Sequence, residues 1–176
     1  MITFELSNIY LGDISLNQAK DIVFSHKVMR QVHGNDTEIT PWVSNKRTVK
    51  FKMDLPAKEI PSVMRRFLPS NNIKVVATQR IKPSTPNRHE VIVHIKMNCL
   101  GSQLVSVNPI FVLRENLGKK GTYFDARVSV NVWAPPPINH IAEKFMILQA
   151  EKDLLVYAKK ILDNVNIARC IVTDLE

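Results

Sequence analysis

TYFDARVSVNVWAPPPINHIAEKFMILQAEKDLLVYAKKILD, residues 122–163, changes its hydrophobic period halfway along. Phe124, Ala126, Val128, Val130 and Val132 alternate with Tyr123, Asp125, Arg127, Ser129 and Asn131, the period of a strand with one continuous buried face. Pro135-Pro136-Pro137 stops that strand, because proline supplies no backbone donor to a ladder. After it, Ile141, Phe145, Leu148, Leu155, Ala158 and Leu162 form an apolar stripe, with Lys144, Glu151, Lys152, Lys159 and Lys160 outside it, which predicts a helix over about 138–163. About 25 residues at 1.5 Å each give nearly 40 Å, enough to lie across a whole sheet.

Further strands read outward from this pair. Leu104–Arg114 is joined to Thr122–Trp133 through Gly118-Lys119-Lys120-Gly121, a hairpin. Asn72–Lys82 and Arg88–Met97 flank a turn-rich run, residues 83–87, as a second hairpin, with His89, Val91, Val93, Ile95 and Met97 on one face. In 46–55, Arg47, Val49, Phe51, Met53 and Leu55 share one face while Lys46, Thr48, Lys50 and Lys52 share the other, as in an antiparallel sheet wetted on one side. Pro56 and Pro61 introduce a short helical element through Phe67. Residues 1–11 alternate as a first strand, and Ser15 caps a bent or broken helix reaching about His33. Gly34 ends it, and a short strand follows near Glu38–Val43. The order predicts one α+β domain over 1–176, a curved antiparallel sheet gripping a long C-terminal helix, with a short tail over 164–176.

With Thr40-Pro41-Trp42-Val43, Arg47-Thr48-Val49-Lys50-Phe51, Leu55-Pro56 and Ile60-Pro61, the chain resembles the START-like superfamily, also called SRPBCC or Bet v 1-like, and within it the sterol-binding VASt group. The resemblance covers about residues 1–163 and implies the helix-grip fold. It further implies a cavity between sheet and helix for an apolar ligand such as a sterol, phospholipid or other lipid. Its walls would be Phe51, Met53, Val75, Ala77, Val93, Ile95, Phe111, Val128 and Val130, facing Phe145 and Leu148. Arg47 and Gln79, together with His89 at a strand end, are the candidate polar anchors, since such sites are mostly apolar with a few polar groups. Pro109 departs from the pattern, because it falls inside a long strand.

Composition narrows the function. The chain is 45% hydrophobic and 23% charged, an ordinary globular balance. Its five glycines never form GxG or GxxxxGK[ST], which argues against dinucleotide and P-loop binding. Two cysteines, Cys99 and Cys170, and no recognisable signal peptide or membrane span point to an intracellular, cytoplasmic setting. His140 and Glu143 form HxxE without the second histidine of a zinc motif, and no GxSxG elbow occurs. No metal or cofactor is called for, and without a catalytic grouping the chain is read as a non-enzyme.

The net charge is +8, which favours anionic partners. Lys50, Lys52, Lys74, Arg80, Lys82 and Lys96 all project from the outer sheet face as a basic stripe, with Lys119-Lys120 and Arg65-Arg66 as further clusters. Few aromatic residues are interleaved with these charges, which disfavours nucleic acid and leaves an anionic membrane surface or a protein assembly. Two functions stand beside each other at this point. One is carriage of an apolar ligand with docking on anionic membrane; the other is a structural or adaptor subunit with a packed interior, using the basic face.

Overall fold

A computed structural model describes residues 1–65, 72–83, 85–98, 105–116 and 118–173; Arg66, Phe67, Ser84, Cys99 and Leu104, which figure in the expectations above, lie outside them. In chain order the elements are β1 (Ile2–Tyr10), α1 (Leu16–Val23), α2 (His26–His33), β2 (Glu38–Ile39), β3 (Lys46–Asp54), α3 (Ser62–Arg65), β4 (Asn72–Ile81), β5 (Arg88–Met97), β6 (Val105–Glu115), β7 (Thr122–Val132) and α4 (Ile138–Thr173). The strands form one antiparallel sheet in the order β1-β7-β6-β5-β4-β3-β2, and α4 packs across its inner face.

Period-two alternation translates directly into register. Arg47 stands opposite Gln79, and Gln79 opposite Val93; Val49, Ala77 and Ile95 form the next inward row, and Phe51, Val75 and Met97 the next. The outward residues between them carry the basic side chains, all exposed.

The predicted N-terminal helix is two helices. Ser15 and Gln18 form a reciprocal capping box on α1, and the chain breaks at Phe24 because Ser25 starts a new helix by accepting from the Val28 amide at 3.1 Å. That break leaves the last carbonyls of α1 without helical donors, which matters for the site.

Two expectations about the long helix are corrected. It does not end near Asp163 but continues through Thr173, since no Gly or Pro interrupts it, and Asn164 is tied to Gln31 Oε1 at 2.7 Å and to the Lys160 carbonyl at 2.8 Å. Its buried side is also different. Ala142, Phe145, Leu154, Tyr157, Ala158, Ile161 and Val165 are buried, whereas Ile141, Leu148 and Leu155 are 37%, 54% and 50% exposed. Apolar residues stand at most angles around this helix, so a stripe with a seven-residue repeat matched its outer side as well as its inner one. Leu148 therefore faces away from the interior.

Candidate functional site

The site grows from the break between α1 and α2. The Val23 carbonyl accepts from the Tyr157 hydroxyl at 2.7 Å, and the Phe24 carbonyl accepts from Arg47 Nη1 at 2.7 Å. A helix C-terminus attracts a cation, so α1 itself draws the guanidinium inward. Arg47 is 3% exposed. Its Nε donates to Gln79 Oε1 at 2.6 Å, and its guanidinium carbon lies 4.5 Å from the centre of the Trp42 ring and 6.0 Å from that of Phe24. Desolvating a charge costs several kcal/mol, of which a desolvated cation–π contact returns about 2 kcal/mol. Burial accordingly holds the Arg47 guanidinium below its ordinary value, with Tyr157 acting the other way.

On the far side of Gln79 lies a cavity of about 130 Å³ between sheet and helix. Val49, Phe51 and Met53 of β3, Val75, Ala77 and Gln79 of β4, and Val93, Ile95 and Met97 of β5 form one wall. Val107, Pro109, Phe111 and Val128 continue it, and α2 and α4 close it. Pro109 explains how the sheet leaves room. The β5–β6 ladder runs from Arg88–Arg114 to Ile92–Ile110 and stops where Pro109 would follow, while the β6–β7 ladder passes straight through Pro109–Val128. A residue without a donor thus sits in an interior strand by making one side of it a local edge.

Polar groups reach the cavity from separate segments. His33 on α2 stacks on Phe51 with centroids 3.9 Å apart, and burial pushes its imidazole down to about 4. Asp153 on α4 keeps exposed surface at the rim, yet desolvation by the surrounding protein pushes its carboxyl up to about 6, with Lys152 pulling the other way. Burial raises the Tyr157 phenol well above its ordinary value, so it stays protonated. Gln149 completes the polar set.

Of the anticipated wall and anchor residues, Phe51, Met53, Val75, Ala77, Gln79, Val93, Ile95, Phe111 and Val128 line this cavity. Arg47 stands behind Gln79 without lining it, and Val130 is core. Phe145 is corrected: it packs with Leu55, Ile60, Ile73 and Val75 in a second cluster, and its neighbour Met146 reaches the cavity instead. His89 lies elsewhere, near Ser15, Leu16 and Glu115. Glu143 accepts from the Val132 amide at 3.2 Å and pairs with the Met1 amine at 2.9 Å. His33, Gln149, Asp153 and Tyr157 were not anticipated. The spacing Ala150, Asp153, Leu154, Tyr157 is itself helical and was the available signal for the last two.

No family model matches the sequence, and no curated protein matches it. Solved structures resemble it along nearly its whole length. The di-domain ARO/CYC StfQ from the steffimycin biosynthetic pathway superposes with a TM-score of 0.63 at 9% identity, over 96% of this chain and 51% of that one. The Zhui aromatase/cyclase from Streptomyces sp. R1128 gives 0.62 at 7% identity, over 94% and 92%. The chain has the helix-grip fold. A third helix-grip neighbour, TTHA0849 from Thermus thermophilus, gives 0.58 at 7% identity, over 95% and 97%.

These neighbours overturn the reading of the chain as a non-enzyme, because the helix-grip fold is one that aromatase/cyclases carry. The physical reason is that catalytic groups need not be adjacent in the chain. A grip cavity collects its polar groups from α2, β4 and α4, which lie far apart in sequence. Among the described residues no helix is long and apolar enough to cross a membrane.

Proposed function

We propose that this helix-grip protein binds a compact apolar molecule in the cavity between sheet and α4. The observation that carries the reading is the cavity itself, apolar on every wall and polar only at Gln79, His33, Gln149, Asp153 and Tyr157. Its size sets the ligand class. About 130 Å³ is less than half the ~300 Å³ at which drug-sized sites begin, and close to an engineered apolar cavity of about 150 Å³ that takes benzene. A single ring or a stretch of acyl chain fits the closed form. A whole sterol of the kind bound by VASt relatives requires α2 and α4 to part around His33 and Phe51.

Native mass spectrometry of gently purified protein, followed by organic extraction, tests this. The expected result is a bound apolar molecule in the wild type and none in Val128→Trp, whose indole would fill the space beside Pro109 and Phe111. Equal ligand content in the two proteins would place the molecule outside the cavity.

A second observation favours docking on an anionic membrane. Lys52 stands directly opposite Lys74 on the outer face, and like charges opposed across strands weaken a sheet. Lys50 pairs with Glu38, and Lys82 with Glu90, while Lys52, Lys74, Arg80 and Lys96 have no ion pair among the described residues. On this proposal the unpaired cations are held for an anionic lipid surface.

A further inference from the structure

We propose that the ligand of this cavity is a carboxylate anion: a ring-sized apolar acid whose charged group is received by the Gln79 amide with Arg47 behind it. The inference rests on the cavity being a ligand site and names the chemistry of its polar end.

Three observations carry it. The first is an uncompensated charge. Arg47 is 3% exposed, and no carboxylate pairs with it among the described residues. It is surrounded by an amide oxygen, one helix-terminal carbonyl and two ring faces, all of which offer partial charge only. Its Nη2 is buried with no hydrogen-bond partner. A buried cation held in this way leaves the adjoining space at positive potential, and low polarity strengthens that potential.

The second is the orientation of Gln79. A guanidinium can only donate, so the bond from Arg47 Nε at 2.6 Å assigns the amide oxygen of Gln79 to the Arg47 side. The amide nitrogen is turned the other way. It has no acceptor among the described residues, and Gln79 lines the cavity. The group presented to a ligand is therefore a donor, polarised by the charge behind it.

The third is the chemistry of the other polar groups. Tyr157 donates its proton to the Val23 carbonyl at 2.7 Å and is not a competing donor. Asp153 lies one turn earlier on α4 and also lines the cavity, so an anion at that end meets like charge. A carboxylate is thereby directed to Gln79, with the apolar part of the molecule along Val93, Phe111 and Val128.

Phenylacetate and phenylacetamide, equal in shape and different in charge, test this by calorimetric titration at one ionic strength. Wild type is expected to prefer the acid by about tenfold or more, the gain of a charge-assisted over a neutral hydrogen bond. Gln79→Glu places the counter-charge in the protein and should reverse the preference. Val128→Trp should bind neither probe. Equal affinity of wild type for acid and amide would overturn the anion assignment and leave the apolar cavity standing. Failure of both probes to bind would overturn both readings. Phenylacetate binding Val128→Trp as tightly as wild type would place the acid on the basic surface and would also overturn the proposal.

Discussion

Protonating His33 in the folded chain means charging an imidazole stacked on Phe51 and largely removed from water, so its pKa falls from 6.5 to about 4. Between those values the unfolded chain binds a proton that the folded chain refuses. Stability contributed by His33 therefore rises with pH across that window and is complete above it. Asp153 runs the other way. Its folded carboxyl titrates at about 6 against 3.8, so it keeps a proton that the unfolded chain has released, and stability falls as pH rises from about 4 to 6. The His33 contribution is on the order of 2 kcal/mol, and that of Asp153 is smaller because solvent screens an exposed group. Urea midpoints between pH 4 and 7 separate them: Asp153→Asn should show a steeper rise with pH than wild type, and His33→Phe a fall. Flat profiles in both variants would mean that neither group is desolvated. Neither residue stood out in the sequence, because a lone histidine and a lone aspartate acquire their chemistry from what is packed around them.

Strands and helices differ in how much of their orientation can be read from the chain. In β3, β4, β5 and β7 the inward residues Phe51, Gln79, Val93 and Val128 sit on the faces their alternation assigns them, since adjacent side chains on a strand must point to opposite sides. On α4 the outer residues Ile141, Leu148 and Leu155 are apolar enough to imitate a buried stripe, and only contact with the sheet separates them from Leu154, Tyr157 and Ile161. Truncation makes the difference measurable. Leu154→Ala should cost about 2–4 kcal/mol of folding stability, as buried leucines do, whereas Leu148→Ala should stay within about 0.5 kcal/mol. Comparable losses at the two positions would contradict the orientation of α4 described above. The break between α1 and α2 was legible as a bend, because two serines at capping positions are visible in the sequence. Its use of the freed carbonyls by Arg47 and Tyr157 was not.

Taken as one body, the molecule separates two chemistries by the thickness of a sheet, an apolar cavity inside and a cationic field outside. Each basic residue near an anionic bilayer contributes about 1 kcal/mol, screened by salt. Replacing Lys52, Lys74 and Lys96 by glutamate should therefore abolish cosedimentation with phosphatidylserine vesicles at low salt and leave ligand content unchanged. Vesicle binding that survives the triple variant would exclude the outer stripe as the docking surface. The residues of that stripe, like the inner wall behind them, follow from local alternation, and so does the α+β order that ends in a long helix. Other features come from segments far apart in the chain, as the bond between Tyr157 and Val23, separated by 134 positions, illustrates. The side of α4 that meets the sheet, the buried guanidinium without a carboxylate and the 130 Å³ left unfilled beside Pro109 are of this kind. Periodicity is a property of neighbouring residues and survives in any context; an empty volume or an unpaired charge is what remains after all segments have packed together, and it exists only in the folded whole.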